Sequence, residues 1–294
     1  MRGTLGALRL TFALVLGIIV VLAVGAAATY LLSERRLRAT PAVRDAPIVV
    51  PTDIPVVQHG QHIAGAVAMC TRCHGANLEG ALVEDDNSAR VVAPNITRGG
   101  AVRGFTAVDY ARAIRDGIGP DGHPLWLMPA YATLSDIDLG ALIAYLKSLP
   151  PVTNSLPSNE IRALGRARLA TGDLTLLPAL TINRAAPRPP APAPGTTSDY
   201  GEYLVGIAAC SRCHGPRLSG GTVPGAPRGS PPAPDLTTAG LGDWSEADFL
   251  RAMRSGRRPD GGAIDTLMPW PYYAQMSDLE LRAIWEYLGV IPVR

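Results

Sequence analysis

Apolar positions are concentrated first in one long run near the start of the chain. Residues Leu10 to Leu32 are 23 consecutive positions without a charged side chain. A helix rises about 1.5 Å per residue, so a run of this length can cross the ~30 Å hydrocarbon core of a bilayer. The run therefore predicts a transmembrane anchor over residues 10–32.

A cleaved signal peptide is the alternative interpretation of this run. The small residues Ala26, Ala27 and Ala28 could form a cleavage site. The run is longer than the roughly 7–15 residues of a usual signal core, which favours an uncleaved anchor. Arginines lie on both sides of it, Arg9 and Arg35 among them, so the positive-inside rule does not orient it.

Beyond residue 57, apolar positions recur with helical spacing in two similar halves. The last predicted helix of each half carries such a stripe: Leu139, Leu142, Ile143 and Leu146 in the first, and Leu281, Ile284, Trp285 and Leu288 in the second. A Ser or Thr followed three positions later by an acidic residue is typical of a helix start. Four such pairs occur: Thr106 with Asp109, Ser135 with Asp138, Ser245 with Asp248 and Ser277 with Glu280. No alternating strand pattern of useful length is found, so the sequence predicts an all-α fold.

Proline-rich segments separate these halves from the anchor and from each other. Residues 39–57 hold four prolines and are interpreted as a tether, and prolines crowd residues 185–197, which predicts a semi-rigid spacer. We therefore expect domains at 58–150 and 198–294, joined by a connector at 151–197. Within the connector, Ile161 to Leu169 could form a short helix.

An internal repeat aligns the two halves in detail. Cys70-Thr-Arg-Cys73-His74-Gly matches Cys210-Ser-Arg-Cys213-His214-Gly. A proline follows the first Cys by 24 positions in both halves, as Pro94 and Pro234, and a methionine follows it by 58, as Met128 and Met268. The two halves are thus predicted to be copies of one domain with one site each.

The repeated Cys-x-x-Cys-His motif is a haem-attachment signal. Its two thiols can form thioethers to the vinyl groups of one haem, and the adjacent histidine supplies the proximal iron ligand. A zinc ribbon needs two Cys pairs about 15–20 residues apart, whereas Cys73 and Cys210 are 137 positions apart (210 − 73). A thioredoxin-like redox pair needs a βαβ context, which the pattern does not provide. Two covalently bound haem c groups are the predicted cofactors.

The sixth iron ligand is predicted from the matched methionine offset. Met128 and Met268 each follow their histidine by 54 positions and precede a proline, so we expect iron to be held by His74 with Met128 and by His214 with Met268. A thioether favours Fe(II) and raises the reduction potential. The rivals are weaker: three histidines without His counterparts, interpreted as surface residues, and two further methionines that do not match between halves. They are His59, His62, His123, Met69 and Met276.

Composition agrees with bound haem and narrows the choice of partners. All four cysteines belong to the two motifs, and aromatic residues are only 5%, so haems would help fill the two cores. The formal charge of +2 does not indicate nucleic-acid binding. Lys147 is the only lysine, so the chain has no lysine ring for docking.

With these motifs, each half resembles a class I cytochrome c domain, and together they cover about two-thirds of the chain. The resemblance implies two all-α domains, each wrapped round a haem, in which Pro94 and Pro234 accept a hydrogen bond from the proximal histidine. The loop wording, including Ala93 to Thr97 and Gly240 to Trp244, is similar to cytochrome subunits of periplasmic alcohol, aldehyde and related dehydrogenases. Those subunits often carry three haem motifs, and this chain has two.

The resemblance implies an electron-transfer protein rather than an enzyme. The expected partners are a quinol-oxidising complex, a dehydrogenase, a terminal oxidase or a photosynthetic reaction centre of a respiratory or related chain. Because haem attachment in bacteria takes place outside the cytoplasmic membrane, we expect a cytoplasmic amino terminus and periplasmic haem domains. The alternative is a dihaem peroxidase-like enzyme, which needs one haem with an open distal side. The similar Met loops of the two halves argue against it.

Overall fold

A computed structural model describes the backbone of residues 2–184, 188, 190–226 and 229–292, with side chains from residue 9 onward. Pro187 and Pro189 of the predicted spacer, the side chain of Arg2 and residues 293–294 lie outside the described part. The first helix, α1 (Arg2–Leu37), contains the predicted anchor. Its segment Arg9–Leu37 has a mean hydropathy of 2.8 and is long and apolar enough to cross a membrane.

The first half is built from four helices around one crossing. In chain order these are α2 (Ile54–His62), α3 (Cys70–His74), α4 (Ala107–Ala111) and α5 (Asp136–Ser148). Helix α2 continues into a wider π-helical turn at Ile63–Val67, and α4 does the same at Arg112–Asp116. Helices α2 and α5 cross at Gly60, where a side chain would overlap the carbonyl oxygen of Ala141. The glycine therefore permits the close approach of the first and last helices.

A small antiparallel sheet in the first half corrects the all-α expectation. Strand β1 (Ala81–Asp85) pairs with β2 (Ala89–Ala93), with Ala81 opposite Ala93, and β2 pairs with the two-residue strand β3 (Glu160–Ile161). The strands are too short for alternation to show, and β3 lies in the connector, far along the chain from its partner. The fold is therefore mostly helical with a three-stranded sheet.

The connector then returns the chain to the anchor. Helix α6 (Ala163–Thr171) lies close to the stretch 161–169 where a short helix was predicted, and it packs against the end of α1. The Arg166 guanidinium donates to Ser33 and to Glu34 at 3.0 Å each and lies over the Tyr30 ring. A short 3-10 turn at Pro178–Leu180 follows.

The second half repeats the helical arrangement. It contains α7 (Ser198–Ile207), α8 (Ser211–His214), α9 (Thr238–Leu241), α10 (Glu246–Ser255), α11 (Trp270–Tyr273) and α12 (Asp278–Val290). Helices α7 and α12 cross at Gly201, against the carbonyl oxygen of Ala283, as α2 and α5 do at Gly60. Buried residues of both halves form one continuous apolar cluster, so the halves pack on each other.

Three of the four predicted capping boxes are complete in the structure. Thr106, Ser245 and Ser277 each accept from the backbone three positions on, and the acidic side chain there returns to their own backbone. At Ser135 only the first bond is present. The missing return bond is replaced by a contact from the other half of the chain.

Candidate cofactor-attachment sites

Both Cys-x-x-Cys-His motifs form a short helix that begins after a strained residue. Met69 has φ 51° and Ala209 has φ 54°, the left-handed region that L-residues rarely adopt. Each turns the chain sharply from the first helix of its half into the motif, so that α3 and α8 start at equivalent points. Matched strain at two equivalent non-glycine positions is typical of a functional constraint.

The two motif histidines are held in the same way. The Nδ1 atom of His74 lies 2.8 Å from the carbonyl oxygen of Pro94, and that of His214 lies 2.8 Å from the oxygen of Pro234. A carbonyl can only accept, so Nδ1 carries the proton and Nε2 keeps its lone pair. In the described part of the chain neither Nε2 has a hydrogen-bond partner, which leaves it able to bind a metal. Such an outer hydrogen bond fixes the ring orientation and raises ligand basicity.

Burial supports the neutral form of these rings. Each histidine is 6% exposed. Burial lowers the pKa of His74 and of His214, although the hydrogen bond to the proline carbonyl acts in the opposite direction. A neutral imidazole is the form that ligates iron.

The backbone after each histidine folds back onto it. Gly80 donates to the His74 carbonyl at 2.7 Å, and Gly220 donates to the His214 carbonyl at 2.9 Å. Leu78 and Leu218, which are buried, adopt positive φ values of 61° and 59° inside these loops. The pattern places an apolar side chain beside each motif at the same position in both halves.

The four motif cysteines fit covalent attachment. All are free thiols and only partly exposed. Burial raises the pKa of Cys70 and of Cys210 to about 12, so these thiols stay protonated at neutral pH. Two thiols at this spacing, followed by a histidine with a free Nε2, form the donor set of a c-type haem. The residues present therefore fit the group, with Cys70, Cys73 and His74 at one site and Cys210, Cys213 and His214 at the other.

The predicted distal methionines occupy similar but differently supported loops. Met128 and Met268 are half-buried and pack against the core cluster. The loop of Met128 is tied to the connector, because Leu127, at φ 53°, donates to the Leu176 carbonyl at 2.8 Å. Met268 instead donates its backbone N–H to Asp265 at 3.0 Å within its own loop. Iron ligation by these methionines stays a prediction.

The rival residues have other roles. Met276 is 1% exposed and occupies the place of Leu134, since Arg254 donates to the Met276 carbonyl as Arg115 does to that of Leu134. His123 contacts the Ala39 carbonyl at 3.4 Å. His59 and His62 are not simple surface residues, because they contact Asp138 and Glu280 respectively.

The repeated arginine and aspartate pairs belong to surface contacts. Arg112 pairs with Asp45 of the tether, and Arg251 pairs with Asp248 on its own helix. Asp121 and Asp260 each accept a backbone N–H two residues on, from His123 and Gly262. These contacts agree with the interpretation of both pairs as a solvated helix face and a turn.

Comparison with known proteins assigns each half separately. Residues 55–146 match the family "Cytochrome C oxidase, cbb3-type, subunit III", and residues 198–290 match the family "Cytochrome c". Each matched segment contains one complete attachment motif.

Similar proteins carry related descriptions. The alcohol dehydrogenase (quinone) cytochrome c subunit of Gluconacetobacter polyoxogenes is 29% identical over 82% of this chain and 57% of its own length. A "Diheme cytochrome c-type" of Cereibacter sphaeroides is 28% identical over 78% of this chain and 83% of its own. The gluconate 2-dehydrogenase cytochrome c subunit of Pantoea cypripedii is 36% identical over 32% of this chain and 23% of its own. The chain thus spans 57% of the length of the alcohol dehydrogenase subunit that it matches.

Proposed function

Since the chain is a c-type cytochrome with one cytochrome c domain and one covalent haem c site in each half, we propose that it relays electrons between redox partners at the outer face of a membrane. The observation that carries the proposal is the duplicated site: two histidines, each with Nδ1 held by a proline carbonyl and Nε2 free, beside two thiols. Each haem, when bound, supplies an iron that gains or loses one electron between Fe(III) and Fe(II).

The protein's own residues fix the state of each iron. The Pro94 and Pro234 carbonyls orient the histidine rings, and the buried surroundings keep water from the proximal side. We infer that Met128 and Met268 fill the distal positions, which would leave neither iron open to substrate. The peroxidase-like alternative gains no support from the relatives, which are described as cytochrome c subunits or as a dihaem cytochrome.

We infer that α1 anchors the haem domains to a membrane. Its apolar surface is exposed along the span, as a lipid-facing helix requires. At its carboxyl end, Ser33, Glu34 and Tyr30 receive Arg166 of α6, so the anchor is joined to the connector by packed contacts and not only by the chain. This arrangement supports an amino terminus in the cytoplasm and both haem sites in the periplasm.

A membrane dehydrogenase is the partner that the relatives favour. Cytochrome c subunits of alcohol, gluconate, nicotinate and fructose dehydrogenases resemble this chain or part of it. We therefore propose that the chain accepts electrons from a dehydrogenase and passes them to a further membrane acceptor.

The test uses the full-length holoprotein in detergent-solubilised membranes. The oxidised cytochrome is mixed with a purified quinone-type alcohol dehydrogenase catalytic subunit and ethanol, and haem reduction is followed by visible absorbance. Reduction that requires both ethanol and the dehydrogenase supports the proposal. The matched control is the same mixture without ethanol. Failure of this dehydrogenase, together with failure of any dehydrogenase co-purified from the membranes, would overturn the assignment of the partner.

A further inference from the structure

The two halves meet at two equivalent acidic residues. Asp138 and Glu280 are each the third residue of the last helix of their half, three positions after the capping serine. Both are buried, at 8% and 6% exposure. A buried carboxylate is costly unless it is paired and hydrogen-bonded. Each of these two receives its partner from the first helix of the opposite half.

The contacts form a reciprocal exchange. The Tyr203 hydroxyl of α7 donates to the Asp138 carboxylate of the first half. His62 of α2 lies 2.9 Å from both carboxylate oxygens of Glu280 in the second half. We call these two contacts, Asp138–Tyr203 and Glu280–His62, the clamp.

The clamp also explains the incomplete capping box at Ser135. The backbone N–H of Ser135 donates to the Tyr203 hydroxyl at 3.0 Å, in place of the side chain of Asp138. Asp138 is thereby free to bind His59 at 2.6 Å as well as Tyr203. A helix cap of the first half is thus completed by a residue of the second, which makes the contact part of the fold rather than a loose surface touch.

The attachment segments lie beside the clamp on the same interface. The hydroxyl of Tyr131 donates to the Ala68 carbonyl at 2.6 Å, just before the first motif, and Tyr273 donates to Ala208 at 2.7 Å before the second. Across the interface, a Cβ at Gly206 would lie 3.2 Å from Thr133 Oγ1, and one at Gly65 would lie 3.8 Å from Gln275 Oε1. Small residues thus let the first helix of each half approach the opposite loop.

Charges of each motif act across this interface. Burial raises the pKa of Cys73, and both Arg72 of its own motif and Arg212 of the other motif act to lower it. Burial likewise raises the pKa of Tyr273 well above its ordinary value, while Arg72 from the first half acts in the opposite direction. The two motifs are therefore near neighbours.

We propose that the clamp residues Asp138, Tyr203, His62 and Glu280 are positioning residues that hold the two haem-attachment segments face to face, so that electrons cross from one haem to the other within the molecule. The inference rests on the proposed electron-transfer function. One iron gives up an electron and the other takes it up, so the step needs no further oxidant or reductant.

The first experiment measures clamp opening in the full-length holoprotein. In Tyr203→Phe, amide hydrogen exchange is followed in α2 and α12, which carry the other contact of the clamp. A rise of about tenfold is expected, the change that loss of one hydrogen bond to a charged group produces. Tyr200→Phe is the matched control, because it loses a hydroxyl on the same helix that makes no hydrogen bond within the described residues. Equal exchange in the two variants would overturn the clamp.

The second experiment separates positioning from simple structural support. After pulse reduction with less than one electron per molecule, redistribution between the haems is a first-order phase that does not depend on protein concentration. We expect this phase in the wild type and in Tyr200→Phe, and a slowing of about tenfold in Tyr203→Phe and in Glu280→Gln. A phase unchanged in both clamp variants would overturn the inference.

The two proposals fail in distinguishable ways. If the dehydrogenase reduces both haems but redistribution depends on protein concentration, the clamp proposal is wrong and the relay function stands. If pulse reduction shows rapid redistribution but no dehydrogenase reduces the protein, the partner assignment is wrong and the clamp stands.

Discussion

The two halves share an attachment site but differ in what covers the distal side. In the first half, the connector packs over the methionine loop: Leu177 and Ala179 are fully buried, and a Cβ at Gly117 would lie 3.0 Å from Ala179. In the second half, the equivalent Gly256 faces the indole of Trp270, which directly follows the Met268-Pro269 pair. The proximal geometry is thus repeated, while the distal cover is supplied from outside in one half and locally in the other.

The difference teaches that duplication fixed the chemistry and left the surroundings free to diverge. His74 and His214 have the same hydrogen bond at the same length. The first half adds a sheet that includes a connector strand, a tether contact through Arg112 and a docked connector. We expect the two irons to share a ligand set but to differ in solvent access, and therefore in reduction potential.

The largest expected effect tests what the halves share. Gly60→Ala and Gly201→Ala each place a Cβ against a carbonyl oxygen of the last helix, so each should lower the free energy of unfolding by about 1–3 kcal/mol, the usual cost of overpacking. The measurement is the denaturant midpoint of the holoprotein. Gly289→Ala, which has open space around it in α12, is the control and should be neutral or slightly stabilising. A loss as small as that of the control would show that the helices do not cross this tightly.

The next prediction tests where the halves differ. Ala179→Asp places a charge in the buried cover of the first methionine loop, so an added ligand such as imidazole should bind one haem more readily. Trp270→Ala should have the same effect on the other haem. The measurement is the visible spectrum of each oxidised variant during an imidazole titration. Ala179→Ser, which adds a small polar group, should shift the titration less. Identical spectral changes in Ala179→Asp and Trp270→Ala would contradict the asymmetry.

The smallest expected effect is the pH dependence of the clamp. Hydrogen bonding to Asp138 raises the pKa of His59, so its contribution is full below the ordinary value of 6.5 and is lost as pH rises through the raised pKa. Burial acts to raise the pKa of Asp138 and of Glu280, but contacts with His59 and Tyr203, or with His62, outweigh it, and the pKa of each is lowered. Their contribution is present above the ordinary values of 3.8 and 4.5 and is lost as pH falls through the lowered pKa.

The clamp should therefore resist opening best between about pH 5 and pH 6.5. Hydrogen exchange in α12, corrected for intrinsic exchange rates, measures this directly. His59→Asn should flatten the rise above this window, and Glu280→Gln should flatten part of the rise below it. A profile that is flat in the wild type would show that these groups do not stabilise the interface.

Sequence reasoning was strongest where a feature is local. The attachment motifs, the boxes at Thr106, Ser245 and Ser277, and the proline acceptors follow from short spacings. The sheet was missed because β1 and β2 are short and β3 is remote in sequence. His62 was interpreted as a surface histidine because it lacks a counterpart in the repeat, whereas its partner Glu280 lies 218 positions away. Contacts between copies leave no signal in an alignment of one copy with the other.

The near-infrared Met-to-iron absorption band of the oxidised holoprotein is the most direct test of two equivalent haem sites. The wild type should show the band, Met128→Ala and Met268→Ala should each lose about half of its intensity, and the double variant should lose it entirely. Each single variant should also lower one of the two reduction potentials by on the order of 0.1 V, within the ~0.8 V range that axial ligands set. A band that persists at full intensity in either single variant would contradict the assignment of that methionine and, with it, the equivalence of the two sites.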